Sequence, residues 1–249
     1  MTALAMMIQP DDYVILACDG VSTSPSTGAV GGYMSKLHFL PHLDLAIATA
    51  GFGGLAEALT FHLPTYVTDF DDLIKIMPEY LPWLWAEVVT TPSVTAWDSC
   101  IALAGWSAER KRYEGFRYST TEWGEIDQST GETVRKPAFT PRRIPEQSVW
   151  TTCGFSEERL RAFGVIDPPE GTTDEDLVVR TICAARAESG QIEGQSLRFN
   201  AGGFVQVAQI ARGFARTNIA HRWPEDVLGE PVDPSRGQPL PNHLMPLRG

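Results

Sequence analysis

The sequence predicts an α+β fold: a four-layer αββα sandwich, with two antiparallel sheets between helix pairs. Three observations lead there. Apolar runs such as Tyr13–Cys18, Leu43–Ala50 and Ser99–Trp106 end in turn clusters and read as buried strands. The elements come as strands, two helices, strands, two helices and a strand, which is not the strand–helix alternation of a parallel sheet. The chain has 249 residues, 43% hydrophobic and 20% charged, enough for one domain with a large core.

The elements follow in order. Ala3 to Ile8 is a short apolar run, Gln9-Pro10-Asp11-Asp12 a turn cluster, and Tyr13–Cys18 a strand closing at Asp19-Gly20. Residues 21–32 are rich in Ser, Thr and Gly and predict a loop. Tyr33 to Leu40 alternates, with Met34, Leu37 and Phe39 among polar residues, and Pro41-His42 turns into the strand at Leu43–Ala50. Gly51-Phe52-Gly53-Gly54 breaks that strand and opens a helix over 55–63. Leu73, Ile74, Met77, Leu81, Leu84, Trp85 and Val88 recur at helical spacing, which predicts a second helix over 71–89. Pro78 and Pro82 predict a kink or break in it. After the strand at Ser99–Trp106 comes a polar insertion over 107–147. Its clearest strand is Tyr113–Tyr118, and its Arg135, Lys136, Arg142 and Arg143 are expected in a solvated loop or hairpin. Ser148–Thr152 reads as a strand running into Cys153-Gly154. Ser156 and Thr173 read as N-caps of two helices, and Gly203–Ala211 alternates as a strand. The domain is expected to span 1–221. Six prolines in the last 28 residues exclude a helix or central strand over 222–249 and predict an extended tail.

Charge and motifs narrow the function. The net charge of −11 argues against nucleic-acid binding and against a polybasic membrane surface. No apolar run reaches membrane-spanning length, and the N-terminus lacks a secretory pattern, so a cytoplasmic protein is expected. Cys18, Cys100, Cys153 and Cys183 form no C-x-x-C pair, and the five histidines form no ligand pair, so neither metal nor cofactor is expected. Gly51-Phe-Gly53-Gly54-Leu-Ala56 loosely fits a dinucleotide fingerprint, but at least three strands precede it, which a first βαβ unit does not allow.

A different constellation fits better. An initiator Met before Thr2 is ordinarily removed, leaving a free amine beside a hydroxyl, a base next to its own nucleophile. Asp19 ends the second strand, Lys36 lies in the third, and Gly51 ends the fourth. Each has an ordinary reading alone: a turn aspartate, a solvated lysine, a helix-entry glycine. Together, Thr2, A-C-D-G at 17–20, S-K-L at 35–37 and A-T-A-G-F-G-G at 48–54 resemble the N-terminal half of proteasome core subunits. The sequence looks most like the peptidase subunit of the bacterial two-part ATP-dependent protease. The specific motifs lie in residues 2–54. SCIALAGW and residues 148–164 resemble later parts of that family in outline.

The resemblance implies a threonine-type N-terminal nucleophile (Ntn) hydrolase that cleaves amide bonds in peptides. Thr2 Oγ would be the nucleophile and its amine the base. Lys36 would lower the pKa of the Thr2 centre, Asp19 would hold Lys36, and the Gly51 N–H would form the oxyanion hole. A family serine that assists the amine falls near Cys153. The family's second acid has no clear match, with Glu188 and Ser189 nearest. The alternative is a catalytically silent member of this fold in a larger assembly, such as a phage particle or tail component, hence located in a virion. Hydrophobes spaced between the prolines of the tail suggest self-association or assembly partners held through it.

Overall fold

The computed structural model of the chain describes residues 2–24, 27–63, 66–89, 99–126, 132–191 and 198–245. Strand β1 (Leu4–Gln9) turns into β2 (Tyr13–Asp19), in register from Leu4 opposite Cys18 to Gln9 opposite Tyr13. Short strands β3 (Val21–Thr23) and β4 (Val30–Tyr33) pair with each other, and β5 (Leu37–Leu40) pairs with β6 (Leu45–Ala50). Helices α1 (Leu55–His62) and α2 (Phe70–Val88) precede β7 (Cys100–Ser107) and β8 (Arg112–Ser119). Then come β9 (Trp123–Ile126), β10 (Thr133–Lys136), β11 (Arg142–Arg143) and β12 (Trp150–Thr151). Helices α3 (Glu157–Ala162) and α4 (Asp174–Ala187) follow, then β13 (Gly190–Gln191), β14 (Arg198–Phe199), β15 (Phe204–Ala211) and β16 (Phe214–Arg222). One five-stranded sheet has the order β12-β1-β2-β15-β16, the other β11-β8-β7-β6-β5. Every ladder between these strands is antiparallel, and an isolated bridge from Val30 to Leu228 is parallel.

Side-chain alternation explains the packing. In β6, Leu45 and Ile47 join Leu59, Phe70, Leu73, Met77 and Leu81 of α1 and α2. Ala46, Ala48 and Ala50 of the same strand turn the other way and meet Leu4, Met6, Ile8 and Leu16 of the first sheet. In β1 and β2, Ala5, Met7, Ile15 and Ala17 pack against Val178, Val179, Ile182 and Cys183 of α4. Central strands are therefore apolar on both faces, which is why they read as unbroken hydrophobic runs.

Several elements differ from expectation. Helix α2 is unbroken through Pro78 and Pro82. Pro78 is exposed and Pro82 half-buried, so the missing N–H groups fall on the outer side, where water can meet the freed carbonyls. The loop expected over 21–32 contains β3 and β4. Lys36 sits in the link just before β5 rather than within a strand, and the strand expected at 148–152 shortens to Trp150–Thr151. Strand β16 is not marked in the sequence. Its residues 214–219 are all exposed on a sheet edge, so no alternation picks them out. Arg135 and Lys136 lie on the β9–β10 hairpin with Arg135 exposed, as expected, whereas Arg142 lies over the Trp123 ring at 5.1 Å.

The proline-rich segment is irregular, as its composition requires, but its described part folds back on its own domain. Trp223 is buried, Leu240 and Leu244 join the α4 cluster, and Val232 packs with Val21 and Val30. Asp226 forms a buried ion pair with Arg186 of α4, Nη1 to Oδ2 at 2.8 Å and Nη2 to Oδ1 at 2.9 Å. Val227 and Leu228 remain exposed. Among the described residues no helix is long and apolar enough to cross a membrane.

Candidate functional site

The start of β1, the end of β2, the start of β5 and the end of β6 lie at one end of the two sheets. Leu4 is opposite Cys18, Leu37 is opposite Ala48, and all four join one cluster between the sheets. That topology gathers the sequence-predicted residues at this end.

Asp19 is fully buried and saturated with donors. Its Oδ1 accepts from the Ala3 N–H at 2.9 Å. Its Oδ2 accepts from Lys36 Nζ at 3.0 Å, the Val21 N–H at 3.2 Å and the Gly202 N–H at 3.4 Å. Lys36 is only 6% exposed, and its ammonium also donates to the Val21 carbonyl at 2.5 Å. A buried cation of this kind needs a fixed anion. The anion is fixed because three backbone N–H groups from separate segments aim at it. The Lys36 carbonyl in turn accepts from the Thr49 N–H at 3.1 Å, which ties the lysine to the strand that ends before Gly51.

Thr2 is buried, one residue before the amide that Asp19 holds. Its carbonyl accepts from Thr152 Oγ1 at 3.1 Å, and Thr152 Oγ1 in turn accepts from the Leu4 N–H at 3.0 Å. Thr152 thus pins the first residues of the chain to the end of β12. Sequence reasoning missed Thr152, since a threonine within Thr151-Thr152-Cys153 carries no signal of this role. The Thr2 hydroxyl has no hydrogen-bond partner among the described residues.

Gly51 has φ +100°, a backbone conformation that disfavours a side chain. The next N–H, of Phe52, donates to Ser99 Oγ at 3.0 Å, which fixes the turn. The Gly51 N–H has no partner among the described residues. Among the described residues no hydrogen bond joins Gly51 to Lys36 or Asp19; what they share is the end of the sheets.

Cys153 follows Thr152, with its sulfur 3.8 Å from Thr152 Oγ1. Burial pushes its thiol up to about 12, and the Asp19 carboxylate pushes the same way against the hydrogen bonds of Thr152 and Thr151. Burial likewise pushes Cys18 up to about 12, with Asp19 adding to it and Lys36 opposing. Both thiols are therefore inert as nucleophiles near neutral pH.

Glu188 is paired with Arg159 at 2.7 Å. Ser189 Oγ accepts from the Ala201 N–H at 2.9 Å, supporting the segment whose Gly202 reaches Asp19. Among the described residues no three His, Cys, Asp or Glu side chains gather into a metal-ligand set. Comparison with protein-family models finds no match, and comparison with curated proteins finds none.

Proposed function

We propose that the chain is a proteasome-like Ntn hydrolase that cleaves peptide amide bonds with Thr2 once Met1 has been removed. The observation that carries this reading is the buried Lys36–Asp19 pair, clamped to the backbone amide one residue beyond Thr2. A buried lysine–aspartate pair just before a strand has little structural use that a well-packed apolar pair would not serve as well. The stacking of α1 and α2 on one sheet and α4 on the other supports the four-layer αββα sandwich of that family.

The chemistry is then simple. The Thr2 amine takes the proton of its own hydroxyl as Oγ1 attacks the substrate carbonyl. The oxyanion is received by the Gly51 N–H, a contribution worth ~10²–10³ in rate. The ammonium passes the proton to the leaving nitrogen, and the Thr2 ester is hydrolysed by water. Lys36 disfavours a second positive charge nearby and so keeps the amine neutral, and basic, near pH 7.

Intact mass reports whether Met1 is gone. A peptide β-lactone is expected to acylate Thr2 of the Met1-free protein, with the adduct located by mass spectrometry and absent from Thr2→Ala. Met1-free protein that takes no label would overturn the reading.

One observation favours a second reading. With Met1 in place the Thr2 nitrogen is an amide, and Thr2 is only 6% exposed. A chain that keeps Met1 would be a silent structural component of a larger assembly, such as a phage particle.

A further inference from the structure

At the site end the sheets leave a cavity of about 110 Å³, lined by Ala50, Cys100, Arg117, Ser119, Trp123 and Thr152. Ala50 precedes Gly51, and Thr152 holds the Thr2 carbonyl, so the cavity abuts both ends of the candidate site. The register explains its position: Ala50 faces Cys100, Cys100 faces Ser119, and Arg117 lies two residues away on the same face of β8.

Arg117 is the cation in the cavity wall. Its guanidinium lies over the Trp123 ring at 5.6 Å and the Trp150 ring at 5.7 Å. Arg142, opposite Arg117 in the β8–β11 register, covers Trp123 at 5.1 Å. Arg117 also borders an open groove of about 620 Å³ shared with Arg142 and Arg143. Glu146 lines that groove too and pairs with Arg143 at 2.7 Å, while Arg117 borders both the groove and the cavity. A guanidinium has five N–H donors in one plane, so it can serve an added anion besides its partners within the chain. Aromatic rings stack against its faces, which leaves its N–H groups, all in the guanidinium plane, as its means of holding an anion. Ser119 adds a hydroxyl to the same wall, whereas the Thr152 hydroxyl proton is already given to the Thr2 carbonyl.

We propose that this cavity is a carboxylate subsite, so that the Thr2 centre takes acidic peptides with Glu or Asp beside the scissile amide. The substrate class rests on the hydrolase reading above. The polar insertion then has a use: its Trp123 ring lies against the Arg117 guanidinium.

Binding is measured on Thr2→Ala protein by intrinsic tryptophan fluorescence, with two acetylated peptides that differ only by Glu or Gln at that position. The Glu peptide is expected to bind about tenfold more tightly at low salt. That advantage is expected to shrink in 0.5 M salt (about 4 Å of screening length), to fall in Arg117→Lys and to vanish in Arg117→Ala. Equal binding of the two peptides, or an advantage undiminished in both Arg117 variants, overturns the proposal. Hydrolysis by the Met1-free wild type is followed separately. Hydrolysis without a Glu preference sinks the subsite alone. A Glu preference with neither hydrolysis nor a Thr2 adduct sinks the hydrolase reading and leaves a carboxylate-binding site.

Discussion

A lysine ammonium that is almost fully buried holds its charge only against a fixed anion, and at Lys36 that anion is Asp19. Removing one partner of such a pair ordinarily costs ~3–5 kcal/mol. Asp19 would keep three backbone N–H donors in Lys36→Met, which places the expected loss near the lower end, about 3 kcal/mol. Urea unfolding measures it. If Lys36 also tunes Thr2, Lys36→Met loses ~10²–10³ in the rate of Thr2 acylation. Thr2→Ala is the contrasting variant. It abolishes acylation yet shifts stability by no more than about 1 kcal/mol, because the only hydrogen bond of Thr2 described here uses its backbone carbonyl. A Lys36→Met protein with unchanged stability would mean that the pair is not formed.

At the scale of single elements, α2 and the tail make opposite demands on proline. Pro78 is exposed in mid-helix, where proline costs about 3 kcal/mol relative to alanine, while its stiffening of the unfolded chain returns up to about 1 kcal/mol. Pro78→Ala is therefore expected to raise stability by about 2 kcal/mol, read as a higher urea midpoint. Where the tail packs back, His221 of β16 sits edge-on to Trp223 with ring centroids 4.8 Å apart, and its Nε2 lies 3.0 Å from the Gln238 carbonyl. Burial lowers its pKa below the ordinary histidine value, helped by Arg186 and His243 and opposed by Gln238 and Glu225. The unfolded chain thus binds the proton more readily than the folded one. Stability contributed by neutral His221 is present above about pH 6.5 and declines as pH falls from there toward its lower folded value. Proteolysis of the tail should accelerate over that window, and His221→Gln should flatten the dependence. These elements also mark what the sequence could and could not reveal. Tyr13–Cys18, Leu45–Ala50 and Ser99–Trp106 were legible because burial on both faces leaves continuous apolar runs, whereas Leu43 and Asp44, expected in the second of them, form the turn before it. Asp19 was legible as the polar stop at the end of one of them. Strand β16 was not, since an edge strand exposed on both faces has no pattern to impose. Thr152 was not, because its role depends on the Ala5–Thr151 pairing between segments nearly 150 residues apart.

The whole molecule joins its two ends through α4. Arg186 is 3% exposed and Asp226 1%, and Asp226 Oδ2 also accepts from the Gly203 N–H at 2.7 Å. Gly203 adjoins Gly202, whose N–H points to Asp19 Oδ2 at 3.4 Å, so the anchor of the tail and the anchor of Thr2 share one backbone turn. The Arg186 side chain further lies over the Trp223 ring at 4.7 Å and donates to the Ala201 and Asp233 carbonyls. Neither partner is visible as such in the sequence, because a helix arginine and a tail aspartate 40 residues apart look solvated until the chain closes on itself. Asp226→Ala would strip a buried guanidinium of its carboxylate and the Gly203 N–H of its acceptor, with an expected cost of ~3–5 kcal/mol. It should also slow β-lactone labelling of Thr2 in protein that remains folded, since the Gly202–Gly203 turn loses its support. Asp226→Asn keeps an acceptor for Gly203 and should recover more of the labelling rate than of the stability. Labelling that is unchanged in folded Asp226→Ala would show that the tail fastens the fold without reaching the site.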